Sequence, residues 1–332
     1  GTTIGPLLVS FAIFGSAAAG GTEASIESVK IPYLVLGAAF VLVAVFLKFS
    51  SVPNQVDLDA LAADETSDAS KLAHKSSAFG YPQLVLGMIA IFVYVGVEVS
   101  TISNLPAYLS LPVSEGGLGI ETALIAPFVS LYWASLMIGR WAGAAGAFDV
   151  AKHTKWMLTI LLPYLAFGVF LAVNAFANHE ISHFFMYGFV IVLMIAATFA
   201  SRGNPARMLL YFAICGIAAL VIGMLTTGMT SVVAFISVGL FCSTMWPCIF
   251  TLAITGLGRN TNQGSSLLIM MIMGGGIVSW LQGVIADMHG IHYSFVVGVL
   301  CFAYLAFYAV AAKHALQKQG IDLDALTAQG GH

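Results

Sequence analysis

Long apolar runs alternate with short polar clusters along the whole chain. A run of about 20 largely apolar residues crosses a bilayer as a helix. Ten such runs are predicted, at 1–20, 31–47, 82–108, 123–146, 156–176, 183–200, 207–227, 230–255, 264–286 and 292–312. Helices follow because a backbone surrounded by lipid must satisfy its own hydrogen bonds within each segment. Between the second and third runs lies one long polar stretch, Ser50 to Ser77, with Asp57, Asp59, Asp64, Glu65, Asp68, Lys71 and Lys75. It is too polar to span and reads as a water-facing linker.

Composition sharpens this picture. Of 332 residues, 59% are hydrophobic and only 8% charged, and mean hydropathy is +0.95. A soluble domain carries about 25% charged residues, so an ordinary cytosolic enzyme is excluded. A net charge of −3 gives no basic field for nucleic acid. Cys215, Cys242, Cys248 and Cys301 fall within or at the ends of apolar runs and imply no disulfide framework. The chain opens at Gly1 inside an apolar run, and the expectation is a piece of a longer protein. With the end of the second span placed in the cytosol, eleven of the twelve Lys and Arg residues fall on cytosolic segments and Lys30 alone outside. The positive-inside rule predicts that asymmetry, which puts the C-terminus in the cytosol.

Chemistry inside the spans is sparse. Glu98 is the one acid deep in a span, in Val95-Gly-Val-Glu-Val-Ser-Thr-Ile-Ser-Asn104-Leu-Pro106. A carboxyl at that depth costs at least ~2.5 kcal/mol unless it faces water or a partner, which makes it a functional candidate. Its bland reading is a protonated acid bonding a neighbouring helix. Pro106 cannot donate to the carbonyl of residue 102 and is expected to bend the helix. Tyr132 and Trp133 precede Gly139-Arg140; such aromatics stack on sugar rings or simply pack. Ser243 lies in Cys242-Ser-Thr-Met-Trp-Pro247, one turn from a proline. Gln282 follows the glycine run Gly274-Gly-Gly276, where helices can approach closely, and its amide suits either a solute hydroxyl or an interhelical partner.

His179-Glu180-Ile-Ser-His183 matches H-E-x-x-H, which on a helix supplies two zinc ligands and a general base. Here it falls in a short external turn, and a zinc site needs a third ligand. An intramembrane zinc hydrolase is therefore the remote alternative. Asp287-Met-His289-Gly-Ile-His292 reads as another polar external turn, and no cofactor motif or Walker A sequence is present.

Several stretches resemble the fucose/glucose–galactose permease branch of the major facilitator superfamily. Phe241-Cys-Ser-Thr-Met-Trp-Pro-Cys-Ile-Phe-Thr-Leu-Ala-Ile-Thr-Gly-Leu-Gly258 is similar to the family's tenth helix, and Gln263 to Asp287 to its eleventh. Tyr94-Val-Gly-Val-Glu98 resembles the seventh helix, Tyr132-Trp133 with Gly139-Arg140 the eighth and its Gly-Arg latch, and Gly1-Thr-Thr-Ile-Gly5-Pro6 the start of the fifth. The resemblance implies an all-α polytopic membrane protein with a partial major facilitator fold: helices 5–12 plus an inserted pair. Residues 1–49 would be the last two helices of the first bundle, 50–80 the central cytosolic loop, 81–314 the second bundle, and 315–332 a cytosolic tail. Eight spans follow the loop where the family has six, so an inserted hairpin is expected at about 156–200. Two further departures are Cys242, where the family usually has Asn, and Ser279, where it usually has Pro.

The implied function is uptake of a monosaccharide by ion-coupled, proton-type symport with alternating access in a bacterial inner membrane. The implied contacts to sugar are Glu98, Asn104, Tyr132, Ser243 and Gln282; Arg140 and Asp149 would form a conformational latch. No enzyme activity, cofactor or metal is expected, and the partners are a sugar, a coupling ion and the bilayer around a monomer. The alternative is a facilitator of another solute, or an exporter.

Overall fold

The computed structural model describes residues 26–49, 77–144, 151–177 and 179–324. The predicted first span, most of the linker and Asp149 lie outside the described residues. Every regular element among the described residues is helical. They are α1 (Ile26–Phe49), α2 (Pro82–Ser110), α3 (Ala126–Ala144), α4 (Lys152–Phe176), α5 (Tyr187–Ser201), α6 (Pro205–Leu225), α7 (Gly228–Cys242), α8 (Met245–Ile254), α9 (Thr261–Met270), α10 (Gly274–His289), α11 (Ile291–Ser294) and α12 (Val296–Lys318). Seven helical stretches among the described residues are long and apolar enough to cross a membrane. α3 is not among them, because Ser130, Tyr132, Trp133, Ser135 and Arg140 dilute its apolar content.

Two predicted single spans are broken helices. The run at 230–255 divides into α7 and α8 at Ser243–Thr244, where the Ser243 hydroxyl donates to the Leu240 carbonyl at 2.6 Å. Pro247 explains the break, since it has no N–H for the carbonyl one turn back. The run at 264–286 divides into α9 and α10 through a 3-10 turn, Met271–Met273, ahead of the three glycines. α2 instead continues through Pro106 to Ser110.

Glycine sets how closely the helices pack. A Cβ at Gly274 would collide with the Phe92 carbonyl oxygen, and one at Gly96 would meet Val278 Cγ2 at 2.6 Å, so α2 and α10 lie nearly backbone to backbone. A Cβ at Gly239 would meet the Tyr132 carbonyl at 2.7 Å, which presses α7 on α3. Small residues allow such approach where lipid offers no hydrophobic drive for association.

The bundle repeats its own packing. α2 packs on α10 and α12, as the α7–α8 pair packs on α3 and α6; α6 packs on α12. The hairpin α4–α5 stands beside this core, resting mainly on α3 and α6. It is tied there by Ser135 and Tyr187, whose hydroxyls lie 2.7 Å apart, and by the Phe128, Phe184 and Phe170 rings. Its outer face shows Trp156, Leu161, Leu165 and Phe189, the apolar surface a membrane helix turns toward lipid.

Candidate functional site

Glu98 sits near the middle of α2, and its side chain is only partly buried. The Tyr94 phenol, one turn earlier, faces its carboxyl, and the Arg140 guanidinium lies within electrostatic range of both. The Tyr94 ring packs against Trp246 with centroids 6.2 Å apart, and Trp246 stacks toward Phe250 at 6.4 Å. Trp246 and Phe250 are half-buried on α8, just beyond the helix break. A carboxyl, a phenol and an indole therefore meet from α2 and α8, with the exposed Arg140 of α3 acting on them only through its charge. That set can accept and donate hydrogen bonds to a polyhydroxylated ring and stack on its apolar face.

The sequence-predicted residues fare differently from one another. Tyr132 is fully buried and donates to the Glu98 main-chain carbonyl at 2.7 Å, tying α3 to α2 at the level of the acid. Ser243 is buried, bonded to Leu240 and pressed against Gly139, so it supports the approach of α7 to the base of α3. Asn104 is half-buried and donates to the Ser100 carbonyl at 2.9 Å within its own helix. Gln282 is fully buried, and its Nε2 donates to Ser294 Oγ at 3.3 Å. Thus Glu98 and Tyr132 are brought together, while Gln282 gives its Nε2 to α11 and keeps a buried Oε1 with no hydrogen-bond partner among the described residues. Ser279 donates to the Gly275 carbonyl at 2.6 Å, and Trp280 beside it is exposed.

The sequence reading missed Tyr94 and Trp246 as site residues. Both had a signal: Tyr94 is at i−4 from Glu98, on the same helix face, and Trp246 sits beside the proline in the α7–α8 motif. Tyr132→Phe is expected to cost about 1 kcal/mol of stability and little solute affinity, because its hydroxyl serves the helix tie. Thermal melting of the detergent-solubilised protein, set beside the half-saturation concentration for uptake, checks this.

The H-E-x-x-H reading is corrected by the local geometry. His179 and Glu180 lie in irregular chain, and Ser182–Phe184 is a single 3-10 turn, so the two histidines do not share a helix face. Glu180 accepts from the Ser182 hydroxyl at 2.8 Å and lies 3.6 Å from His183 Nε2. Partial burial holds the His179 imidazole below its ordinary range. Among the described residues no three His, Cys, Asp or Glu side chains gather in a way that could hold a metal. His292 of the second polar turn is also engaged: its Nε2 lies 2.8 Å from the Gly223 carbonyl, and its ring stacks on Tyr108 at 5.2 Å.

This is a polytopic, all-helical membrane bundle, and its fold is shared with a solved transporter of the major facilitator type. The crystal structure of the Escherichia coli fucose:proton symporter superposes with a TM-score of 0.53 at 22% identity, over 86% of this chain and 55% of that one. The chain is similar in sequence to proteins named as glucose/galactose transporters and as L-fucose-proton symporters. It is 33% identical over 310 residues to a glucose/galactose transporter of Brucella abortus, covering 93% of this chain and 60% of that protein. A putative glucose/galactose transporter of Helicobacter pylori is 27% identical over 321 residues, covering 93% of this chain and 62% of the relative. The L-fucose-proton symporter of Escherichia coli is 24% identical over 286 residues, covering 85% and 51% respectively. The chain therefore spans roughly three-fifths or less of each of these relatives. No family model matches it. The kinship is with transporters rather than enzymes.

Proposed function

We propose that the intact protein takes up a monosaccharide of the glucose/galactose or fucose class by ion-coupled symport, with a proton as the coupling ion. The observation that carries this is Glu98, half-buried at mid-span and faced by Tyr94, on which Trp246 packs, in a chain similar to named sugar transporters. In this reading the sugar stacks on Trp246, and Glu98 and Tyr94 exchange water for its hydroxyls. A wrong epimer would leave those groups unpaired, which is the source of selectivity. Ser243, against Gly139, and Gln282, bonded to Ser294, brace the helices that carry these contacts, and Asn104 is bonded within α2. Arg140 biases the access states, with Asp149 as its intended latch partner.

The same proposal places the protein in a bacterial inner membrane as a monomer with a cytosolic C-terminus, as the basic residues suggest. It also treats α4–α5 as an inserted pair, with α6 in the place of the family's ninth helix. The packing repeat supports that assignment: α2, α3 and α6 answer to α7–α8, α9–α10 and α11–α12, and the hairpin has no counterpart.

The test is uptake of radiolabelled glucose, galactose and fucose into vesicles carrying the intact protein, with and without an imposed pH gradient. Gradient-driven accumulation of one sugar supports the proposal; efflux, or indifference to the gradient, overturns it. Trp246→Ala is expected to raise the half-saturation concentration about tenfold, the value of a lost stacking platform. An unchanged half-saturation concentration would remove Trp246 from the site.

A further inference from the structure

The chain does not leave the bundle at the end of α12. Gly320 takes a left-handed φ of 80°, and the Ile321 N–H donates back to the Leu316 carbonyl at 3.0 Å. This turns residues 320–324 across the ends of four helices, and three kinds of contact hold them there.

Gln319 and the fully buried Gln83 of α2 form a reciprocal amide pair, at 2.8 Å in one direction and 3.2 Å in the other. Gln83 Nε2 also donates to the Thr255 carbonyl at the end of α8, at 3.2 Å. Ile321 covers Gly256, where a Cβ would meet its Cδ1 at 2.8 Å, and Leu323 is only 5% exposed. Asp324 then pins the end. Its Oδ1 accepts from Asn204 Nδ2 at 2.6 Å and lies 3.0 Å from an Arg207 nitrogen, while its Oδ2 pairs with Lys313 Nζ at 3.0 Å. Asn204 is itself the N-cap of α6, accepting from the Ala206 and Arg207 N–H groups. One carboxylate therefore bridges the start of α6 and the end of α12.

We propose that Gln319–Asp324 is a strap that holds this end of α2 and α8, the helices carrying Glu98 and Trp246, in fixed register with α6 and α12. Its mechanical role in the access change rests on the transport reading; its existence as a clamp does not. Two kinds of interaction make it a clamp rather than a resting tail. Charge-assisted bonds from two cations and an amide fix one carboxylate, and a buried leucine and a covered glycine fix the segment that leads to it. Hydrogen bonding to Lys313 comes first among the causes that hold the Asp324 carboxyl below the usual carboxylate range. Arg207, Asn204 and the neighbouring Asp322, whose carboxylate accepts the Asp324 N–H, also face it. A lowered folded-state value means that the ionic contribution is present at neutral pH and is lost only as pH falls through that value.

The test uses the intact protein with every cysteine except Cys248 replaced by Ser, Cys215, Cys242 and Cys301 among them. That thiol lies on α8 and is 6% exposed. Truncation after Lys318, and Asp324→Asn as a variant that keeps the fold, are each expected to raise the rate of Cys248 labelling by a membrane-permeant maleimide about fivefold or more. Asp324→Arg combined with Arg207→Asp is expected to recover much of the slow labelling. Unchanged labelling in both single variants overturns the clamp. Faster labelling with undiminished uptake overturns its role in the access change. Labelling is read without sugar, so its outcome is separate from whether the transport reading survives.

Discussion

Glu98→Gln in the intact protein is expected to abolish the proposed gradient-driven sugar accumulation, with a fall of at least about tenfold in initial uptake rate, the scale of one lost charge-assisted hydrogen bond. The reason is energetic. Keeping a carboxyl at mid-span costs ~2.5 kcal/mol or more. A purely structural acid would recover that cost from several donors, and among the described residues the donor seen to bond Glu98 is the Tyr94 phenol. It has the Tyr94 phenol on one side and the Arg140 charge within range on another, an arrangement that leaves part of the carboxyl for a solute. Glutamine keeps the shape and the hydrogen-bonding reach but not the ability to take up a proton. The expected signature is therefore loss of accumulation with partial survival of sugar exchange between equal concentrations. Wild-type accumulation by the variant would remove Glu98 from the site.

The second large effect is a graded response along three adjacent glycines. Gly274→Ala is expected to lower the apparent melting temperature of the solubilised protein by roughly 5 °C or more, since overpacking against a backbone group is costly. Its new methyl would collide with the Phe92 carbonyl, which cannot swing away as a side chain can. At Gly275 the methyl would meet Val95 and Val99 side-chain carbons at 3.2 Å, a contact that small rotations relieve, and an intermediate loss is expected. At Gly276 nothing among the described residues lies within 4 Å, so the change should be close to neutral. Equal losses at all three positions would show that the close approach of α2 and α10 is not what the run serves.

The helices of this molecule are legible in the order of its residues, and the details less so, for reasons that differ by feature. Each of the nine apolar runs from 31–47 onward lies on helix over most of its described residues, because about twenty largely apolar residues leave the backbone no other way to satisfy itself in lipid. The breaks inside two of them are harder to read. Pro247 is visible, but whether a proline breaks a helix or is carried within it depends on what can take up the freed carbonyl. Pro106 and Pro163 are absorbed within long helices, whereas at 243–244 a serine hydroxyl caps Leu240 and the helix restarts. The helical reading of His179-Glu-Ile-Ser-His183 fails for a related reason: five residues match a spacing, but only the surrounding backbone makes that spacing a shared face.

The candidate site divides the same way. Glu98 is legible because an ionisable group in an apolar run is expensive wherever it points. Gln282 and Ser243 are equally visible as polar residues, yet an amide or hydroxyl can be satisfied by any neighbour. The structure gives the Ser243 hydroxyl to Leu240 and the Gln282 Nε2 to Ser294, leaving Gln282 Oε1 without a hydrogen-bond partner among the described residues. Trp246 is ordinary aromatic content until α8 is set against Tyr94. The strap from Gln319 to Asp324 reads as a polar tail, since nothing in its residues says that Asn204, Arg207 and Lys313 wait at one spot.

Composition and periodicity alone thus determined that this is a bundle of membrane-crossing helices with one costly acid inside, because water and lipid judge each residue by its own transfer free energy. Which helices touch, which polar groups are consumed in those contacts, and where residues 319–324 are fastened were decided only by tertiary structure. Those depend on pairs of residues far apart in sequence, and a one-dimensional pattern carries no record of them.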